Sequence, residues 1–166
     1  WTDADTSISF KTPNDMASGY WLLYVMANSI PSTGVVVNCV WNQTPNAPSQ
    51  LGTRRSDDDS PISSTTWTSN LTPKATFYLS DPDAADTVKY QIQCSTAANF
   101  GDTVINYTSA LISQGATFYT MTGLTSGTSY YWRVKCIDNF PAESGWSTAN
   151  SGDIAVKIDT EPPTGQ

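Results

Sequence analysis

The sequence predicts an all-β protein, on three observations. No stretch of its 166 residues sustains a helical period of apolar side chains. Short runs instead alternate apolar and polar residues, the period that puts one set on one face of a strand. Between the runs stand clusters of Gly, Pro, Asn, Asp and Ser, which supply the backbone angles and local hydrogen bonds of turns. Many short strands separated by such turns describe a β-sandwich or barrel.

Taken in order, residues 74–80 put Ala75, Phe77 and Leu79 on one face, and residues 87–94 do the same with Tyr90, Ile92 and Cys94. Residues 117–122 offer Tyr119 and Met121. In residues 130–137, Tyr130, Trp132, Val134 and Cys136 alternate with Tyr131, Arg133 and Lys135, and the cations identify the solvent side. A last strand over 153–158 leads into Asp159-Thr160-Glu161-Pro162-Pro163. Residues 44–48 read as a stiff linker, because proline removes a ladder donor and pushes the residue before it into extended geometry. Residues 54–60 read as a charged loop, and Glu161-Pro162-Pro163 as a boundary where a following domain would begin.

The run Leu124-Thr-Ser-Gly-Thr-Ser-Tyr130-Tyr-Trp132-Arg-Val134-Lys-Cys136-Ile-Asp138 resembles the corner before strand F, and strand F itself, of fibronectin type III domains. Ala75-Thr-Phe77-Tyr-Leu79-Ser-Asp81-Pro-Asp83 and Val88-Lys-Tyr90-Gln-Ile92-Gln resemble strands B and C. Ser144-Gly145-Trp146-Ser147 and the Asp-Thr-Glu-Pro-Pro exit are similar to repeats of bacterial and archaeal surface proteins. The resemblance covers residues 48–162 and implies a fibronectin type III-like (Ig-like) β-sandwich. It gives Tyr130 the role of a tyrosine corner, its hydroxyl returning to upstream backbone. It places Trp132 in the core and Trp146 near strand G. It also implies a display, spacer or accessory module, although a fold alone does not fix function.

In that fold strands C and F are antiparallel neighbours, which sets Cys94 near Trp132 and Cys136 near Tyr90. The offset of four residues is about 13 Å of strand, and a disulfide needs Cα atoms within about 7 Å. Cys94 and Cys136 are therefore expected to be buried thiols, and Cys39 has no evident partner.

Residues 1–46 fall outside the resemblance and read as an additional small β-strand region, with strands over 6–11, 20–27 and 35–41. The second and third are nearly continuous apolar runs, so both faces need cover. The sandwich, an upstream portion of the chain or a second subunit would supply it, the last by strand addition or sheet packing.

Composition excludes several functions. Eight Lys and Arg against fifteen Asp and Glu leave a net charge of -7, and phosphate recognition needs clustered cations. Nucleic acid and anionic membrane surfaces are thus disfavoured as partners. The longest apolar run, residues 19–30, is about half of the roughly 20 residues a membrane-spanning helix needs. The chain starts at Trp1 with no basic leader, and reads as a mature or excised piece. It has no histidine, which removes Ser-His-Asp and Cys-His catalysis and His-based zinc sites. The two glutamates, Glu143 and Glu161, lie in proline-flanked loops, and a lone sandwich lacks the cleft in which two carboxylates cleave a glycosidic bond.

Three candidate sites remain. Asp81, Asp83 and Asp86 crowd one loop, and calcium takes six to eight oxygens from such loops. Asp57-Asp58-Asp59, and Asp138, Asp159 and Glu161, are further acidic groups, although Asp equally serves turns by bonding its own backbone. Trp67 is the best exposed aromatic for a carbohydrate, with Tyr107 or Phe140 beside it; the alternative is packing at a sheet edge. Asn42, Asn70 and Asn106 open Asn-X-Thr sequons, which matter only where the source glycosylates. The reading is a non-catalytic, secreted or cell-surface module for display, adhesion or self-assembly, partnered by copies of itself or other surface proteins. The alternative is a ligand-binding accessory module of a secreted enzyme, partnered by carbohydrate or protein.

Overall fold

The computed structural model describes residues 19–23, 26–27, 30–31, 33–39 and 42–161. The chain divides into two compact units, Trp1–Asn42 and Gln43–Gln166.

The first unit contains β1 (Gly19–Leu23), β2 (Met26–Ala27), β3 (Ile30–Pro31) and β4 (Val35–Cys39). β1 pairs antiparallel with β4, from Gly19 opposite Cys39 to Leu23 opposite Val35, and β2 pairs antiparallel with β3. The two ladders are separate two-stranded sheets among the described residues, and β2–β3 places strand pairing at Ile30–Pro31, ahead of the strand expected over 35–41. Leu22 and Val36 face each other across the ladder and both are exposed. The strand expected over 6–11 lies outside the described residues, as do the side chains of Trp21, Cys39 and Trp41.

The second unit holds β5 (Ser49–Arg54), β6 (Trp67–Thr68), β7 (Lys74–Leu79), β8 (Val88–Ser95), β9 (Thr103–Thr108), β10 (Gly115–Thr120), β11 (Thr128–Asp138), β12 (Ser147–Thr148) and β13 (Val156–Ile158). One sheet has the order β10-β7-β5; the other runs β6-β13-β11-β8-β9, with β12 also on β11. The β6–β13 pair is parallel and the rest are antiparallel. This is an Ig-like β-sandwich of two packed sheets.

The alternating residues of β7, β8 and β11 make its core. Ala75, Phe77 and Leu79 pack against Tyr90, Ile92 and Cys94 and against Tyr130, Trp132, Val134 and Cys136, all buried. Each large apolar side chain taken from water contributes about 1.5–3 kcal/mol. Phe77 meets Tyr90 edge to face with centroids 4.9 Å apart, the arrangement that ring quadrupoles favour. Trp132 is wholly enclosed, and its indole N–H donates to Thr53 Oγ1 at 3.0 Å, which ties β11 to β5 of the opposite sheet.

The corner before β11 is held by Tyr130, whose hydroxyl oxygen accepts the Thr125 N–H at 2.9 Å. Gly127 supplies the turn's left-handed backbone (φ 73°), and its N–H donates to the Ile158 carbonyl of β13. The β8–β11 register sets Cys94 opposite Trp132 and Cys136 opposite Tyr90, as the strand arithmetic requires. Both thiols are free and buried, and burial pushes Cys94 up to about 12 and Cys136 up to about 11.

Several elements differ from expectation. Residues 43–48 are part of the sandwich unit: Pro45 and Pro48 are buried, and the Asn46 N–H donates to the Ser80 carbonyl at 3.0 Å. The proline stiffness that suggested a linker here holds an extended segment against β7. The last strand is shorter than 153–158: it spans Val156–Ile158, after a turn in which Asn150 and Ser151 adopt positive φ. β5, β6, β9 and β12 carry no apolar alternation. They lie at sheet edges or pair over only two residues.

Tyr130→Phe leaves the Thr125 N–H without its acceptor and is expected to lower stability by about 1–3 kcal/mol in urea unfolding, with the spectrum of the folded state unchanged. Cys94 and Cys136 are expected to resist iodoacetamide at pH 8 in the native protein and to react fully in guanidinium, as read by peptide mass mapping.

Candidate functional site

The turn from β7 to β8, residues 80–87, gathers three acids. One carboxylate oxygen from each of Asp81, Asp83 and Asp86 lies within 4.8 Å of the other two. Asp81 is 7% exposed. Its Oδ1 accepts the Asp83 N–H at 2.8 Å, and its own N–H donates to Gln114 Oε1 at 2.7 Å. The Gln114 amide also donates to the carbonyls of Asp83 and Asp86, so one side chain staples the whole turn. Asp83 accepts the Gln43 N–H at 2.6 Å through Oδ2 and the Gln43 side-chain amide through Oδ1. After these bonds, Asp81 Oδ2 and Asp86 Oδ2 are enclosed and have no partner. Desolvation, reinforced by the charges of Asp83, Asp81 and Asp138, holds the Asp86 carboxyl above the usual carboxylate range.

Most of the other described acids are engaged in turns and ion pairs. Asp57 forms a two-pronged pair with Arg55, and that hydrogen bond holds its carboxyl below the usual range. Asp58 is lowered by the Ser60 hydroxyl and N–H. Asp59 pairs with Arg54 and Lys74, and Glu143 with Lys135. Asp138 ends β11 with its Oδ1 accepting the N–H groups of Phe140 and Ala142, both at 2.8 Å. Asp159 accepts the Glu161 N–H at 3.0 Å. Asp57, Asp58, Asp59, Asp138 and Asp159 therefore serve turns and ion pairs.

The aromatic residues among those described do not form a row. Trp67 is 52% exposed on β6, with the Lys157 ammonium 6.0 Å from its ring. Tyr107 is on β9, the opposite edge of the same sheet, so four strand spacings of about 4.8 Å separate the two strands. It packs on Tyr119 of the other sheet at 4.9 Å and closes the gap between β9 and β10. Phe140 is exposed in the loop after β11. Trp146 covers the outer face of β11, with Arg133 at 4.4 Å and Lys135 at 5.2 Å from its ring, and Arg133 also lies over Phe100. Sequence reasoning missed Phe118, which is exposed on β10 beside Lys74 in a shallow depression also lined by Arg54 and Thr76. Its outward place follows from the inward alternation of Tyr119 and Met121.

Of the sequon residues, Asn42 is exposed. The Asn70 amide donates to Ser56 Oγ at 3.0 Å, so a glycan there would first break that bond. Asn106 is exposed on β9 and accepts the Gln91 amide at 2.9 Å. No helix among the described residues is long and apolar enough to cross a membrane.

No curated protein matches the chain. A family model described as "Rha78A-like, N-terminal immunoglobulin domain" matches residues 62–156, more than half of the chain. The matched stretch carries the acidic turn, the Tyr130 corner and all of β7 to β12. With the two packed sheets and their core already in place, the chain belongs to this family of Ig-like domains.

Proposed function

We propose that the chain is a non-catalytic accessory module of a secreted glycoside-cleaving enzyme. The family match over residues 62–156 carries this reading, because the family is described as the N-terminal immunoglobulin domain of Rha78A-like proteins, which are rhamnosidases. Ig-like domains are typically not catalytic. The absence of histidine and the engagement of most of the described acids in turns and ion pairs support the same view. The module's work is then to fold independently, space or orient a catalytic neighbour, and keep it soluble through a polar, acidic surface.

The chain alone is expected to release no product from an aryl rhamnoside above the buffer rate, measured by absorbance over hours. The same open reading frame is expected to encode a glycoside hydrolase domain. Turnover by the isolated chain, or an array of sandwich repeats with no catalytic domain, would sink this reading.

The exposed pair Leu22 and Val36 favours a second reading, a self-associating or adhesive surface module whose partner is another copy of the chain. Light scattering after size exclusion separates the two: the accessory module is a monomer across a hundredfold concentration range, and the surface module forms concentration-dependent oligomers.

A further inference from the structure

We propose that Asp81, Asp83 and Asp86 bind one calcium ion at the turn between β7 and β8. This rests on the turn alone and stands apart from the accessory reading. Asp81 Oδ2 and Asp86 Oδ2 are enclosed and unpartnered, and no Lys or Arg among the described residues pairs with any of the three acids. Enclosing carboxylates beside one another without a counter-charge is unfavourable, because each loses its hydration and feels the other's field. The hydrogen-bond donors nearby do not relieve it. Gln43 serves Asp83, and Gln114 serves the backbone of the turn. What the cluster lacks among the described residues is a positive charge.

The donor set names the kind of cation. All the side-chain donors are carboxylate oxygens, which suits a hard ion, and neither histidine nor thiol is present to favour zinc or copper. Two oxygens bound to one ion lie no farther apart than twice the metal–oxygen distance, about 4.6–5.2 Å for calcium. All three pairs here fall within 4.8 Å. Three carboxylates leave about three to five positions for carbonyls and water, which calcium accepts in irregular geometry and magnesium does not. The ion would clamp the segment at Gln43, the turn itself and Gln114 before β10, because those residues already bond to the acids or their backbone.

The test uses the full chain stripped with chelator and titrated with calcium chloride. Equilibrium dialysis is expected to give one bound calcium per chain. Calcium at about a hundredfold excess over its dissociation constant is expected to raise the melting midpoint by about 10 °C, and magnesium at the same concentration by less than half of that. Asp81→Asn with Asp86→Asn is expected to abolish the calcium shift and to melt no lower than wild type without calcium, since Asn keeps the turn's acceptor and removes the repulsion. A stoichiometry of zero would overturn the site whatever the variant does. An undiminished calcium shift in the variant would place the ion elsewhere, and an equal response to magnesium would remove calcium as the ligand.

Discussion

Eight consecutive residue pairs lock β8 to β11, from Ser95 opposite Tyr131 to Val88 opposite Asp138, and the sandwich is built outward from that ladder. A slip of one residue would turn Trp132, Val134 and Cys136 to solvent and bring Arg133 and Lys135 inside. The charges on the outer face therefore specify the register as firmly as the apolar residues on the inner one. Trp146, lying on Arg133 and Lys135, covers that outer face and keeps their aliphatic stems packed. From this centre the Trp132–Thr53 hydrogen bond reaches the opposite sheet, and the Tyr130 corner fixes where the connection from β10 arrives.

Polar groups enter this interior under strict terms. The indole N–H of Trp132 and the hydroxyl of Thr53 satisfy each other. Ser95 is buried and donates to the Asp102 carbonyl. Asp138 is buried at the end of β11 and collects two backbone N–H groups. Against this background the unpartnered oxygens of Asp81 and Asp86 stand out, since buried polar atoms are almost always paired.

The sequence made the central strands legible because burial imposes alternation, and Ala75-Phe77-Leu79 and Tyr130-Trp132-Val134-Cys136 alternate without a break. Edge strands escape that constraint. β5 carries a bulge between Ser49 and Gly52 that interrupts its period, and β9 buries only Ile105 fully. The acidic turn was visible as a density of carboxylates, but Asp57-Asp58-Asp59 is denser still. What separates them is Arg54, Arg55 and Lys74, which fold back onto one group and not the other. That distinction depends on side-chain placement, which spacing along the chain does not encode.

The two anchors of the sandwich unit lie at opposite ends of β11. Gln43 is bonded to Asp83, in the turn that leads to Val88 and hence to the Asp138 end of the strand. Thr160 is bonded to Ser126, beside the Thr128 end. Eleven residues of strand, roughly 33 Å, separate them. Tension applied between the flanking segments thus runs lengthwise along the strands. Such a load would shear the three β11–β13 pairs and the two β6–β13 pairs together, where a pull from one end would open them singly like a zipper.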